Sequence, residues 1–154
     1  MELSVSVQPI EKMYRILLPK SVASSIIEHI KGEYPIEACG ALLGHVTSNF
    51  CFIDETVPLR NILASTTSFW FDVSEWMQVI INARKVGLEY IGLYHSHARD
   101  EPLPSLSDRH RMMECPGECW LIVAYKPGYP VRFAAYRIDD YGSSISSIPI
   151  VIDF

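Results

Sequence analysis

An α/β sandwich, a mixed β-sheet flanked by helices, is the fold class this chain predicts. Three observations lead there. Strand-like apolar runs alternate with helix-like ones from end to end. The 154 residues, 49% of them hydrophobic, suffice for one domain with its own core. No repeat, low-complexity tract or Gly/Ser linker interrupts them, so residues 1–154 read as a single domain with its core from about Tyr14 onward.

The elements follow in order. "MYRILL" has the composition of a strand, and Ser21 to Lys31 that of a helix, because Val22, Ile26, Ile27 and Ile30 share one helical face and Gly32 offers a stop. "EACGALLGHV" and "FCFIDETVPL" are two strands joined by "TSN" as a hairpin. "DVSE" opens a second helix as a capping box of Asp72 with Glu75. Trp76, Val79, Ile80 and Ala83 supply its apolar stripe, and Gly87 ends it. "YIGLY" is a short buried strand leading directly to His95. A loop rich in Pro and charge follows, then a helix from about Leu106 to Met113, and "CWLIVAY", "VRFAAYRI" and "SSIPIVI" complete the chain as strands.

Charge and composition exclude several function classes. A net charge of −5 offers no basic face for nucleic acid or anionic lipid. Apolar runs such as "WLIVAY" fall far short of the roughly 20 residues a membrane span needs. The N-terminal "MELSVSVQPIEKMYRILLPK" lacks the apolar stretch of a signal peptide, so a cytoplasmic protein is expected. Cys39, Cys51, Cys115 and Cys119 form no CxxC pair, which removes zinc-finger and thioredoxin readings. They are expected as small buried thiols. A Cys115–Cys119 disulfide across "CPGEC" is the alternative for a hyperthermophilic source.

The chemistry concentrates in "YHSHARDEPLPSLSD", Tyr94 to Asp108. In an extended segment residues i and i+2 point the same way, so His95 and His97 present both imidazoles to one point while Ser96 faces away. Neutral imidazoles are good zinc ligands, and a carboxylate commonly completes a catalytic site that leaves a fourth position for water. Asp108, eleven residues after His97, is the candidate third ligand. Each residue also has a plainer role: HxH as a polar strand exit, and "SLSD" as a capping box with Ser105 at the N-cap and Asp108 at N3. The two roles of "SLSD" are compatible. His29 and His110 are expected on helix surfaces and His45 at a strand end, none with chemistry.

The pattern H-x-H, seven residues, S, two residues, D is complete in His95, His97, Ser105 and Asp108, and it resembles the JAMM motif of the MPN-plus metallopeptidases. "PIEACGALLG" resembles the family's upstream P-x-E-x-C-G context and puts Glu37 in the place of its glutamate; "RNILASTTSFWFDVSEW" resembles the segment before its second helix. The resemblance spans nearly the whole chain from about Tyr14. It implies a cytidine-deaminase-like three-layer fold, one zinc ion, and hydrolysis of the amide bond after the C-terminal glycines of ubiquitin-like or sulfur-carrier β-grasp proteins. Glu37 would then be general base and acid, hydrogen-bonded to the zinc water, and the Ser105 hydroxyl would help stabilise the oxyanion. Without the motif, Glu37 is a surface carboxylate at a strand start. Short segments between Arg60 and Asp72 and after Asp108 resemble the compact prokaryotic members.

Three other readings compete. A non-catalytic MPN scaffold usually lacks part of the ligand set, which is complete here. A zinc nucleoside deaminase needs H-x-E and P-C-x-x-C, which do not occur. Release of a small amino acid, such as cysteine, from a sulfur-carrier protein uses the same active-site residues and stays open. Substrate entry is expected by strand addition along "ASTTSFWF", Ala64 to Phe71, unless Phe69, Trp70 and Phe71 serve only to anchor the helix on the core.

Overall fold

The computed structural model describes residues 15–47, 50–138 and 144–153. Met13 and Tyr14 of the expected first strand and Ser48 and Asn49 of the expected hairpin turn lie outside them. The described elements are β1 (Arg15–Pro19), α1 (Lys20–Glu33), β2 (Cys39–Val46), β3 (Phe50–Leu59), α2 (Val73–Lys85), β4 (Glu89–His97), α3 (Leu106–Glu114), β5 (Cys119–Ala124), β6 (Arg132–Ile138), β7 (Ile145–Ile148) and β8 (Ile150–Asp153). The strands form one eight-stranded sheet in the order β7, β6, β5, β4, β2, β3, β1, β8. β1 is parallel to β3 and to β8, and β4 to β5, while the other pairs are antiparallel, so the sheet is mixed as expected.

The last expected strand, "SSIPIVI", is in fact two. Pro149 has no N–H to give a ladder, and the chain breaks there. β7 pairs with β6 at one end of the strand order and β8 with β1 at the other, so a single residue joins the two ends. The sheet must therefore curl until its ends meet. What it curls around is α1: Val22, Ala23, Ile26 and Ile30 pack in one apolar cluster with Leu18, Leu42, Ile53, Tyr94, Leu121, Ala135 and Ile148, which come from β1 to β7. The helix outlasts its expected stop. Gly32 is helical, and the end comes at Tyr34, which is held extended (ψ 133) by the clash that Pro35 imposes on its predecessor.

The opposite face of the sheet carries α2 and α3. Cys39, Leu59, Leu93, Trp120 and Ile138 pack there with Phe69, Phe71 and Met112, and Trp76 and Val79 of α2 cover them. Asp72 caps α2 by accepting from Ser74 N at 2.8 Å, the bond going to the second helical residue. Gly87 follows with φ +81, a conformation glycine adopts without strain. The four cysteines are free thiols, with Cys39, Cys51 and Cys119 buried, so the disulfide alternative is not what forms. No helix among the described residues is long and apolar enough to cross a membrane.

One glycine is required by close approach. Gly92 of β4 lies between Leu42 of β2 and Cys119 of β5, and a Cβ there would run into the Cys119 carbonyl oxygen. Strands held on both sides cannot separate without breaking ladder bonds. Gly92→Ala should therefore lose about 1–3 kcal/mol in denaturant unfolding, the usual cost of overpacking. An unchanged midpoint and slope would show that β4 has room to move.

Candidate metal centre

β4 ends in Tyr94-His95-Ser96-His97, all buried. Alternation sends His95 and His97 to the face of α2 and α3, as expected, and Ser96 to the other side. Ser96 was not assigned a role from sequence, but it has one. Its Oγ accepts from Ala38 N at 2.9 Å, and its own N–H donates to Ala38 O at 3.0 Å. This double bond locks the start of β2 to the end of β4. Glu37, one residue earlier, is clamped as well: its N–H donates to Ser65 O at 2.9 Å, and its carbonyl accepts from Asn61 Nδ2 at 2.9 Å.

Asn61 is a second residue that sequence reasoning missed. Its amide also donates to Ser68 O at 3.0 Å, and its Oδ1 accepts from Leu63 N at 3.1 Å and Trp70 N at 3.2 Å. The available signal was an Asn two residues past a strand, where its side chain can take over backbone hydrogen bonding. Residues 64–71 are therefore an irregular loop pinned from within and not a strand edge. Thr67 N–H, in the middle of the stretch expected to take a substrate tail, is already given to Ser65 Oγ at 3.0 Å. The aromatic residues take the anchoring role instead. Phe69 and Phe71 are buried, and Trp70 carries the Arg111 guanidinium 3.9 Å above its ring, tying the loop to α3.

α3 brings in the carboxylate. Ser105 Oγ accepts from Asp108 N at 3.0 Å, and Asp108 Oδ2 accepts from Ser105 N at 2.9 Å, so the predicted capping box is complete. The same carboxylate faces both imidazoles, with Oδ1 3.1 Å from His95 Nε2 and Oδ2 2.9 Å from His97 Nε2. The two Nε2 atoms are 3.2 Å apart. Ligand atoms of Glu37, His95 and His97 all lie within 4.8 Å of one another. Four of the five predicted side chains converge, with Glu37, His95, His97 and Asp108 each 3% exposed or less, and the fifth, Ser105, is held beside them in the cap of α3.

Burial decides the charges. It pushes the Glu37 carboxyl up to about 8, helped by the neighbouring Asp108 and opposed by Arg99. It also lowers His95, whose ring stacks on Phe69 at 4.3 Å and meets the edge of Trp120, so that this imidazole is neutral although Asp108 pulls the other way. Burial works against ionised Asp108 too. There it is outweighed by His95 and by the hydrogen bonds from both imidazoles and the Ser105 N–H, which hold the carboxyl well below its usual range.

This donor set fits a metal ion. Two imidazole nitrogens and an ionised carboxylate converge on one spot, and beside them Glu37 Oε1 and His95 Nδ1 are buried without a hydrogen-bond partner. Glu37, His97 and Ser105 open onto a cavity of about 230 Å³, which Thr66, Thr67 and Arg99 also line. Elsewhere His45 and His110 are exposed as expected. His29 differs from expectation: it is half-buried against the sheet, with Nδ1 2.7 Å from the Tyr94 hydroxyl, because Tyr94 points into the α1 side of β4.

Comparison with known proteins agrees with this geometry. The profile for prokaryotic homologs of the JAB domain (Prok-JAB) matches residues 19–138. A desampylase of Haloferax volcanii is 30% identical over 113 residues, covering 70% of this chain and 79% of the relative. A desampylase of Pyrococcus furiosus is 27% identical over 90% of this chain and 91% of its own length. A CysO-cysteine peptidase of Mycobacterium tuberculosis is 25% identical over 83% and 86%. Among solved structures, the solution structure of a protein from Desulfitobacterium hafniense superposes with a TM-score of 0.79 at 25% identity, covering 89% of this chain and 92% of that one. With the motif, the curled mixed sheet and most of its length in agreement, the chain belongs to the JAMM (MPN) family, among the prokaryotic homologs of the JAB domain.

Proposed function

We propose that this chain is a zinc-dependent peptidase or isopeptidase that hydrolyses the amide bond after the C-terminal glycines of a ubiquitin-like or sulfur-carrier protein of β-grasp fold. The observation that carries the reading is Glu37: a buried carboxylate with one oxygen unpartnered, set against two imidazoles and an ionised aspartate. Neither a scaffold nor a core gains from such a group, whereas a hydrolase needs it. The desampylase and CysO-cysteine peptidase relatives support both the reaction class and the kind of substrate.

His95, His97 and Asp108 are the residues that would hold zinc. Bound there, zinc would supply a water of lowered pKa and a positive charge for the developing oxyanion. The remaining steps belong to the chain's own side chains. Glu37 takes a proton from the attacking water as its oxygen joins the glycine carbonyl carbon. It then hands that proton to the leaving nitrogen as the C–N bond breaks, giving a glycine carboxylate and a free amine. A cation beside Glu37 favours its ionised form, as a base requires. The Ser105 oxygen is occupied in accepting from Asp108 N, but its O–H remains to donate towards the cavity and the oxyanion. The cavity's small volume suits a glycine tail better than bulkier residues.

Three outcomes test this reading. Purified chain should hold about one zinc per molecule, and both Asp108→Ala and Asp108→Asn should lose most of it; the Asn variant keeps an acceptor for the α3 cap, so lost helix stability cannot explain a loss seen in both. Retention of full zinc by both would remove Asp108 from the ligand set. Glu37→Gln should keep fold and zinc while turnover falls about 10²- to 10⁴-fold. The same variant has a signature in chelator-treated protein. Because the folded-state pKa of Glu37 is raised, the folded chain holds a proton that the unfolded chain has released, and stability is lost as pH rises from about 5 towards 8. Glu37→Gln lacks this loss, so its melting temperature relative to wild type should climb over that interval. A constant difference would mean that Glu37 is not protonated in the metal-free fold.

A further inference from the structure

Arg99 is a charged residue of the cavity that the reaction leaves unused. It stands two residues beyond His97, where β4 has ended, and its Nη2 lies 3.4 Å from His97 Nδ1, one imidazole ring away from the nitrogen that faces Asp108. The backbone on either side of it is held. Tyr125 N–H donates to His97 O at 3.0 Å, Arg132 Nη1 donates to Asp100 O at 3.4 Å, and the Tyr136 hydroxyl donates to Pro102 O at 2.8 Å. The guanidinium reaches that imidazole nitrogen but no carboxylate partner among the described residues. Ion pairs among the described residues join His45 to Asp54, His95 and His97 to Asp108, and Arg111 to Glu114, and none involves Arg99. Its influence on Glu37 shows that its charge reaches the reacting carboxylate without pairing with it.

An arginine fork placed this way matches a carboxylate with two parallel hydrogen bonds. When a C-terminal amino acid is the leaving group, its α-carboxylate is separated from the scissile nitrogen by one carbon. That puts a carboxylate a few ångströms from the bond being cut, within the cavity that Arg99 lines together with Glu37, His97 and Ser105. A lysine side chain leaving from an isopeptide bond brings no carboxylate there. We propose that Arg99 determines leaving-group specificity: it receives the free α-carboxylate of a single C-terminal amino acid, and so selects removal of that residue from a glycine tail over opening of an isopeptide bond. This rests on the hydrolase reading above and adds the identity of the leaving group. The balance is that of hydrolysis throughout: water adds to the glycine carbonyl, the C–N bond breaks, and a free amino acid departs with the proton delivered by Glu37.

The experiment uses the full zinc-loaded chain and a ubiquitin-like domain whose tail ends in Gly-Gly-Ala, with the terminal alanine as either the free acid or the carboxamide. Wild type should favour the acid by about 10- to 100-fold in kcat/KM, the size expected for a charge-assisted hydrogen-bonding group. Arg99→Gln should bring that ratio near one, and Arg99→Lys, a point charge without the fork, should fall between. The ratio is the right readout because losing Arg99 also alters Glu37, which affects both substrates alike and cancels. A wild-type ratio near one, or an Arg99→Gln ratio equal to wild type, would overturn the assignment while leaving the hydrolase reading intact. If wild type cleaves neither substrate, the hydrolase reading falls, and the role of Arg99 falls with it.

Discussion

The Asp108 carboxylate is the constraint on which the site depends. One oxygen faces His95, while the other faces His97 and accepts the Ser105 N–H that begins α3. Helix initiation and assembly of the donor cluster are therefore one event. An N-cap partner is worth about 0.5–2 kcal/mol to a helix, and the bond to an ionised carboxylate lies at the stronger end. The same bond fixes the rotamer of the aspartate, so its position over the imidazoles is set by backbone geometry and not by the cluster itself. A carboxylate left free to rotate would turn to water. Held in the cap, it stays buried and charged beside the two rings, which is the state a metal ligand needs.

A second constraint comes from the curl of the sheet. Because α1 fills the inside, all the chemistry is forced to the outer face, and the two sides of β4 divide the labour. Tyr94 packs inward and bonds His29, and Ser96 binds the start of β2, while His95 and His97 turn outward. Ser96 is what brings Glu37 to the imidazoles. With Ala38 locked to the end of β4 in both directions, Glu37 has no choice of level, and Asn61 and Ser65 then fix its backbone from the loop side. Three segments far apart in sequence thus meet through main-chain bonds, and the side chains follow.

What was legible in the sequence divides along physical lines. Period-2 and period-3.6 patterns located every described helix and the strands up to β6, with β7 and β8 read as one, and the capping box at Ser105 was visible because it depends on two residues three apart. The HxH pair was readable for the same reason, since strand alternation alone aims both rings. Glu37, by contrast, could be placed only through family resemblance, because nothing local says that its strand will lie beside β4. The split at Pro149 was missed although the proline was in plain view; the apolar run on either side outweighed it, and only pairing partners show that the halves belong to opposite ends of the sheet. The loop at 64–71 misled in the same way. Its Thr and aromatic content is strand-like, but Asn61 binds Ser68 O and Trp70 N, and Ser65 Oγ takes the Thr67 N–H, so those groups are already engaged within the loop.

Over-determination of this site answers a cost that it creates. Glu37 is buried with one oxygen unpartnered, and Asp108 lies close enough to raise its pKa further, so in isolation the pair works against the folded state. The surrounding structure holds it regardless. Asn61 contributes hydrogen bonds to four backbone groups, Ser96 a bond through its side chain and another through its N–H, and Phe69 and Trp120 close the apolar wall against His95. Few of these contacts touch the groups that react. Their work is to keep a protonatable carboxylate dry and aimed, so that a cation arriving among the imidazoles meets a site that cannot relax away from it. The same rigidity sets a limit on substrate. The cavity of about 230 Å³ leaves little room for a bulky tail, and discrimination falls to whatever lines it. There Arg99 supplies a cation and Thr66 and Thr67 supply hydroxyls, so selection by size belongs to the walls and selection by charge to one arginine.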